Sequence, residues 1–212
     1  MSAPGSTSAL RPDTFNNLQL NAGIVIKDLV YTGTGAPASS TELATLIAGI
    51  VGGTVSGKGD LLGATRGGGS FNVTRETRTP DIDGMRYPFK KSDFVDSIDA
   101  YLSTTLVEIT PENVAVLLAT GDAVTTGNTT KVTMRTAIDD EDYLDNLCWV
   151  GDLADGRLAL ICLKNAINTA DFTFTYTDKG EGTLAAEFHA RQASVSDYDN
   201  APFEVIFFGP AT

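Results

Sequence analysis

Histidine occurs once and cysteine twice in the 212 residues of this chain, and tryptophan once. A single histidine, His189, leaves a Ser-His-Asp or Cys-His enzyme one base to use, and no G-x-S-x-G elbow accompanies it. Two separated cysteines and one histidine do not make the four spaced ligands of a zinc site. Basic residues are also scarce: 15 Lys and Arg stand against 27 Asp and Glu, a formal net charge of −12. Nucleic-acid affinity rests on neutralised phosphates, so this balance argues against a protein that grips DNA or RNA. It leaves room for one that stays near DNA without holding it. No run of about 18 apolar residues occurs, and Met1 to Asn17 has no apolar core, so neither a membrane span nor a secretory signal is read. A cytoplasmic origin is therefore expected, with Cys148 and Cys162 as thiols.

Charged residues are 20% of the chain and glycine is plentiful, which favours a β-rich fold over a helical bundle. A chain of this length fits one domain, or one domain with extensions, and a single domain over 18–212 is expected. Residues 1–17 read as a flexible arm of small and polar side chains. Leu18 to Ile26 alternates as a strand, with Leu18, Leu20, Ala22, Ile24 and Ile26 on one face. A long excursion at 33–62 follows. Within it, Ser39 and Glu42 have capping-box spacing. Leu43, Leu46, Ile47 and Ile50 recur at helical spacing until Gly52-Gly53. Ser70 to Arg78 is a second strand, dividing Phe71 and Val73 from Asn72, Thr74 and Glu76. Tyr101 to Ile109 is a third, and Asp93, Asp96 and Asp99 are read as the exposed side of a connector before it. Thr110-Pro111 opens a helix, with an N-cap threonine and a proline at the first helical position. Lys131 to Thr136 is strand-like. Two apolar runs, 146–152 and 157–163, flank Asp155-Gly156, a hairpin signal. Segments 171–177, 183–191 and 203–208 complete about eight strands. The expected fold is mainly β with one flanking helix, a β-sandwich or barrel.

A two-residue turn at Asp155-Gly156 sets Cys162 opposite Trp149 and sends Cys148 to the other face. Both cysteines then read as small buried hydrophobes. Gly52 to Lys58 approaches a P-loop, but Gly59 stands where magnesium needs Ser or Thr, so it reads as a plain loop. The run Asp139-Asp140-Glu141-Asp142 lacks the alternating spacing of a calcium loop and reads as a solvated acidic segment. No catalytic, cofactor-binding or metal-binding residues emerge, and an enzyme is not expected.

The densest local signal is Leu62-Gly63-Ala64-Thr65-Arg66-Gly67-Gly68-Gly69-Ser70-Phe71. Three successive glycines at the start of a strand imply a bulge, a bend or a close backbone approach. With Asp81-Ile82-Asp83-Gly84-Met85-Arg86, Leu106 to Asn113 and Asp145 to Gly151, in this order and spacing, it resembles the major tail (tail tube) proteins of long-tailed bacteriophages. The resembling segments lie between about residues 18 and 208. The resemblance implies a β-sandwich subunit of the tail tube type, assembling as hexameric rings stacked around a channel for DNA. The implied partners are further copies of the chain, a tape-measure protein and tail-end proteins, with DNA passing through unbound, no membrane and no cofactor. It places the chain in a virion tail assembled in a host cytoplasm. On that reading Asn72, Thr74 and Glu76 face the lumen, Leu43, Leu46, Ile47 and Ile50 make inter-ring contacts, and Gly67, Gly68 and Gly69 are backbone-critical. A tube subunit of a contractile tail or injection system, and a soluble β-sandwich ligand-binding protein, are the alternatives.

Overall fold

A computed structural model describes residues 15–19, 21–197 and 199–209. Most of the expected arm, 1–14, and Leu20 of the expected first strand lie outside the described residues. The chain is mainly β. Among the described residues the main sheet has nine antiparallel strands, and a separate hairpin adds two more.

The strands are β1 (Ile24–Lys27), β2 (Asp60–Leu61), β3 (Thr65–Arg78), β4 (Phe94–Leu106), β5 (Gly121–Thr126), β6 (Thr129–Met134), β7 (Leu144–Asp152), β8 (Leu158–Asn168), β9 (Phe174–Thr175), β10 (Thr183–His189) and β11 (Phe203–Phe207). Their order is β2-β1-β7-β8-β10-β4-β3, with β11 also on β8 and β9 also on β10. The long strand β8 belongs to both halves. Residues 159–163 pair with β11, while Ile167 and Asn168 pair with β10. Between these stretches Asn165 has φ +46°, a left-handed conformation that asparagine tolerates, and its side chain donates to the Arg191 carbonyl at 3.0 Å. The sheet turns there and folds over itself. We call β2-β1-β7-β8-β11 sheet I and β8-β10-β4-β3 sheet II.

The first core lies between the sheets: Val25, Leu147 and Leu163 from sheet I meet Leu102, Leu106, Leu184 and Phe188 from sheet II. Helix α2 (Pro111–Leu117) closes one end of it with Leu117. Thr110 caps this helix by accepting from the Asn113 N–H at 3.1 Å. The second core lies on the outer side of sheet I, where Ile26, Cys148, Val150, Leu160 and Cys162 are covered by α1 (Ser40–Val51). Ser39 caps α1 by accepting from the Glu42 N–H at 3.3 Å, and the Glu42 carboxylate accepts from the Ala38 N–H at 2.8 Å.

This packing corrects the inter-ring assignment for Leu43 and Ile50. Leu43 and Ile50 are buried against the chain's own sheet, and Leu46 and Ile47 pack around them. Deleting the helix would strip the outer face of sheet I, so the excursion is part of the fold.

The cysteine reading is also corrected. Cys148 pairs directly with Cys162 across β7 and β8, and the two form a disulfide. The Leu153 N–H donates to Arg157 O at 2.9 Å, so the loop is Ala154-Asp155-Gly156, with Gly156 at φ +82°. A three-residue loop shifts the register by one, and one residue reverses every face.

Two further corrections concern strands. The first alternating run forms only Ile24–Lys27, because Gly23 takes φ +71° and the Trp149 indole lies against it. A side chain at Gly23 would meet that ring. The connector read around Asp96 and Asp99 is instead the first half of β4, paired with β3 across a register shift that leaves Asp96 without a partner on β3. Loop 52–59 leads into β2, whereas a P-loop opens a helix. Among the described residues no helix is long and apolar enough to cross a membrane.

Candidate functional site

Alternation in β3, β4 and β10 turns Phe71, Leu102, Leu184, Ala186 and Phe188 inward and the intervening residues outward. The outward residues make one continuous surface. From β3 come Ser70, Asn72, Thr74 and Glu76; from β4 Ser103, Tyr101, Asp99 and Ser97; from β10 Glu187 and His189. Among the described residues no helix or strand covers it, so the surface is polar because it faces water.

Its side chains are held by one another. Ser70 and Ser103 share a hydrogen bond of 2.9 Å, and Asn72 Nδ2 donates to Ser70 Oγ at 2.8 Å. Ser97 Oγ donates to Glu76 Oε2 at 2.9 Å. His189 lies between two carboxylates, 2.8 Å from Asp99 and 3.2 Å from Glu187, and its ring stacks on Tyr101 with centroids 4.9 Å apart. Arg191 approaches Asp99 at 3.7 Å. The structure therefore brings Asn72, Thr74 and Glu76 together on one face, and adds Tyr101, Asp99, Glu187 and His189 beside them. The sequence places Tyr101, Glu187 and His189 on strands and Asp99 on a connector, and it carries no signal for the cross-strand register that joins them to β3. Chemically the surface is a lawn of hydroxyls, amides and carboxylates. No nucleophile is paired with a base on it. Among the described residues no group of three His, Cys, Asp or Glu side chains is placed to hold a metal ion.

Gly67, Gly68 and Gly69 form a bulge where β3 enters this sheet. Thr65 pairs with Leu106 and Gly69 with Thr104, so four steps on β3 answer two on β4. Gly67 and Gly68 both have φ +75°, and a side chain at Gly69 would strike the Ser103 carbonyl. Thr104 Oγ1 ties the bulge down by donating to Gly68 O at 3.1 Å. Beneath it a cleft of about 420 Å³ opens between the sheets, lined by Phe71, Trp149 and Ile161.

Past the body, β3 and β4 continue as a two-stranded ribbon whose faces are both exposed from Val73 to Arg78 and from Phe94 to Ile98. Arg78 ties its far end by donating to Asp96 at 2.9 Å and lying 5.7 Å over the Phe94 ring.

The acidic run has a partner rather than a metal. Arg135 clasps Asp122 at 3.0 Å and also pairs with Asp139 and Asp142. Burial works against the guanidinium's charge, and these carboxylates outweigh it and raise its pKa above the ordinary arginine value. The clasp fastens the β5–β6 hairpin to the turn at Asp140–Asp142.

No protein-family model matches this chain, and no curated protein sequence matches it.

Proposed function

We propose that this chain is the structural subunit of a bacteriophage tail tube, with the uncovered face of sheet II lining a channel through which DNA passes. The observation that carries the reading is β3 itself. It is a 14-residue strand at the end of its sheet, on a polar face that no helix or strand among the described residues covers. A long free edge invites pairing with another chain, and a closed ring of subunits satisfies it. Edge-to-edge joining of six copies would turn each sheet II into part of one continuous barrel wall. The wall would then present Asn72, Thr74 and Glu76 with Asp99 and Glu187 to the lumen. Carboxylates there repel phosphate, so DNA would slide without sticking.

Electron microscopy of the purified chain, together with mass measurement in solution, tests this. Rings or tubes with an axial channel are expected, with more than about 1,000 Å² buried at each lateral contact. A chain that stays monomeric at high concentration overturns the reading. The cleft beneath the glycine bulge, with Trp149 and Phe71 in its wall, favours the second reading, a soluble ligand-binding sandwich. A monomer with a ligand in that cleft would establish it.

A further inference from the structure

Asp-Gly occurs twice in this chain, at Asp83-Gly84 and Asp155-Gly156, and Asn-Gly does not occur. Glycine after aspartate leaves the next backbone nitrogen unshielded, because no Cβ stands beside it. That nitrogen can close a five-membered ring on the side-chain carboxyl. Both pairs sit in turns with the glycine in the left-handed region, φ +86° for Gly84 and +82° for Gly156. The sequence makes the two pairs equivalent, and the structure separates them.

At Asp155 every group that the ring needs is engaged. One carboxylate oxygen accepts from the Arg157 N–H at 3.1 Å and the other from Arg157 Nε at 2.5 Å. The Gly156 N–H donates to Leu153 O at 2.9 Å. Turning this carboxyl onto the Gly156 nitrogen would break all three bonds, in a loop whose two ends are paired strands. At Asp83 nothing comparable stands in the way. The Met85 N–H donates to Ile82 O at 3.0 Å, closing a four-residue turn with Asp83 and Gly84 in its middle. Glycine at positive φ in the third position is the type II pattern, and its closing bond uses neither central N–H. Among the described residues the Gly84 N–H and the Asp83 carboxylate have no hydrogen-bond partner. Both residues are exposed, and the space where a Cβ of Gly84 would stand is open.

We propose that Asp83-Gly84 is a modification site, where the backbone isomerises without an enzyme to an isoaspartyl residue, the acceptor of a protein carboxyl methyltransferase. The Gly84 nitrogen bonds to the Asp83 side-chain carboxyl carbon. Its proton and the carboxyl's hydroxyl leave as water, and a succinimide results. Water then returns to one ring carbonyl. Opening at the side-chain carbon restores aspartate, whereas opening at the main-chain carbon leaves the chain running through the side chain. Nothing is oxidised or reduced, and the mass is unchanged. The isoaspartyl form has one more backbone carbon in the turn, which breaks the closure between Met85 and Ile82. The side-chain contacts of Thr79 with Asp93 and of Arg78 with Asp96 hold the ends of the connection, so the change stays within it. It occurs whether or not the chain builds a tube.

Ageing the intact folded protein in warm, mildly acidic buffer tests it. Isoaspartate is counted by transfer of a labelled methyl group from S-adenosylmethionine, using a purified isoaspartyl methyltransferase. Peptide mapping with a protease that cuts before aspartate but not before isoaspartate locates it. Label is expected at position 83, at least about tenfold above position 155. Asp83→Glu would have to close a six-membered ring and should remove the label. Asp83→Asn loses ammonia in place of water and should label faster, which shows that the turn itself permits ring closure. Arg157→Ala releases the Asp155 carboxylate and should raise label at position 155 while leaving position 83 unchanged. Melting of the aged protein should match that of the fresh one. Equal label at the two positions, or label in the Asp83→Asn chain with none in the wild type, overturns the assignment. Neither result bears on whether rings or tubes form.

Discussion

Sheet I and sheet II share β8 but are covered differently. Sheet I has α1 on one side and sheet II on the other, so its strands bury side chains of both parities. Leu147, Cys148 and Val150 on β7 are all buried, as are Leu160, Cys162 and Leu163 on β8. Sheet II has one covered side. On β4, Ala100, Leu102, Thr104 and Leu106 are buried, while Tyr101, Ser103 and Thr105 between them are not. Its other side is open to water among the described residues. Changes in sheet I and its helix should therefore register as stability, and changes on the outer face of sheet II as function.

The largest expected effect is on the covered side. Leu43→Ala empties a fully buried position between α1 and sheet I, and should cost about 3 kcal/mol in chemical denaturation. Thr45→Ala, on the exposed side of the same helix, should change stability by less than about 0.5 kcal/mol. Equal small losses would mean that α1 does not rest on sheet I.

Replacing Cys148 and Cys162 together by alanine should cost about 2–3 kcal/mol, since the bond spans 14 positions and lies under α1. The intact protein should also resist alkylation until it is both reduced and unfolded. A thiol that labels in the folded chain would break the account of this face.

The bulge in β3 separates two kinds of glycine requirement. Gly69→Ala forces a methyl group onto the Ser103 carbonyl and should cost about 2 kcal/mol or more. Gly67→Ala meets no neighbouring atom, so only its positive φ is penalised, by about 1 kcal/mol. Thermal melts of both variants check the order.

The contrast between the sheets was partly legible in the sequence. Runs 146–152 and 157–163 are apolar without alternation because both their faces are buried, and they read correctly as strands. Ser70 to Arg78 alternates because one face is wet, so Phe71 and Val73 separate from Asn72, Thr74 and Glu76. An amphipathic helix shows that it has an apolar stripe, but not whose sheet that stripe meets, and so the destination of Leu43 and Ile50 was hidden. Asp155-Gly156 signals a turn, but the inclusion of Ala154 in the loop is decided by strand twist, and that one residue joined the cysteines. The first half of β4 has water on both faces, so no periodicity betrayed it. The β5–β6 hairpin was read only in part, as a strand from Lys131, and its turn signal at Gly127-Asn128, with φ +63° at Gly127, was passed over.

A smaller effect follows at Asp28, beside β1. Burial raises its carboxyl above the ordinary value, Asp145 adds to the rise, and backbone N–H groups at Asn146 and Asp145 oppose it. The folded state then binds the proton more tightly than the unfolded chain, so stability falls as pH rises from the ordinary carboxylate value through the raised one. Asp28→Asn should remove this loss at neutral pH, and asparagine accepts the φ of +54°. The gain should be small, because Asp28 is only half-buried. It should vanish in acid, where Asp28 is protonated in both states. A gain that persists at low pH would assign the effect to shape rather than charge.

The smallest expected change in stability is on the open face of sheet II. Glu76→Lys loses one exposed hydrogen bond from Ser97 and should leave the melt within about 0.5 kcal/mol of wild type. Under the tube reading its effect appears only in use. Six lysines would replace six carboxylates at one level of the channel, and each ammonium would hold a phosphate that a carboxylate repels. Tubes should still form, and DNA should pass more slowly. The delay should be greatest in dilute salt, where the screening length reaches about 30 Å, and should shrink near physiological salt, where it is about 8 Å. The rate of DNA release from assembled particles, compared at the two salt concentrations, measures it. An unchanged rate in dilute salt would take Glu76 out of the channel, as would labelling of the introduced lysine by an impermeable reagent from outside intact tubes. Either result would also end the assignment of this face to the lumen.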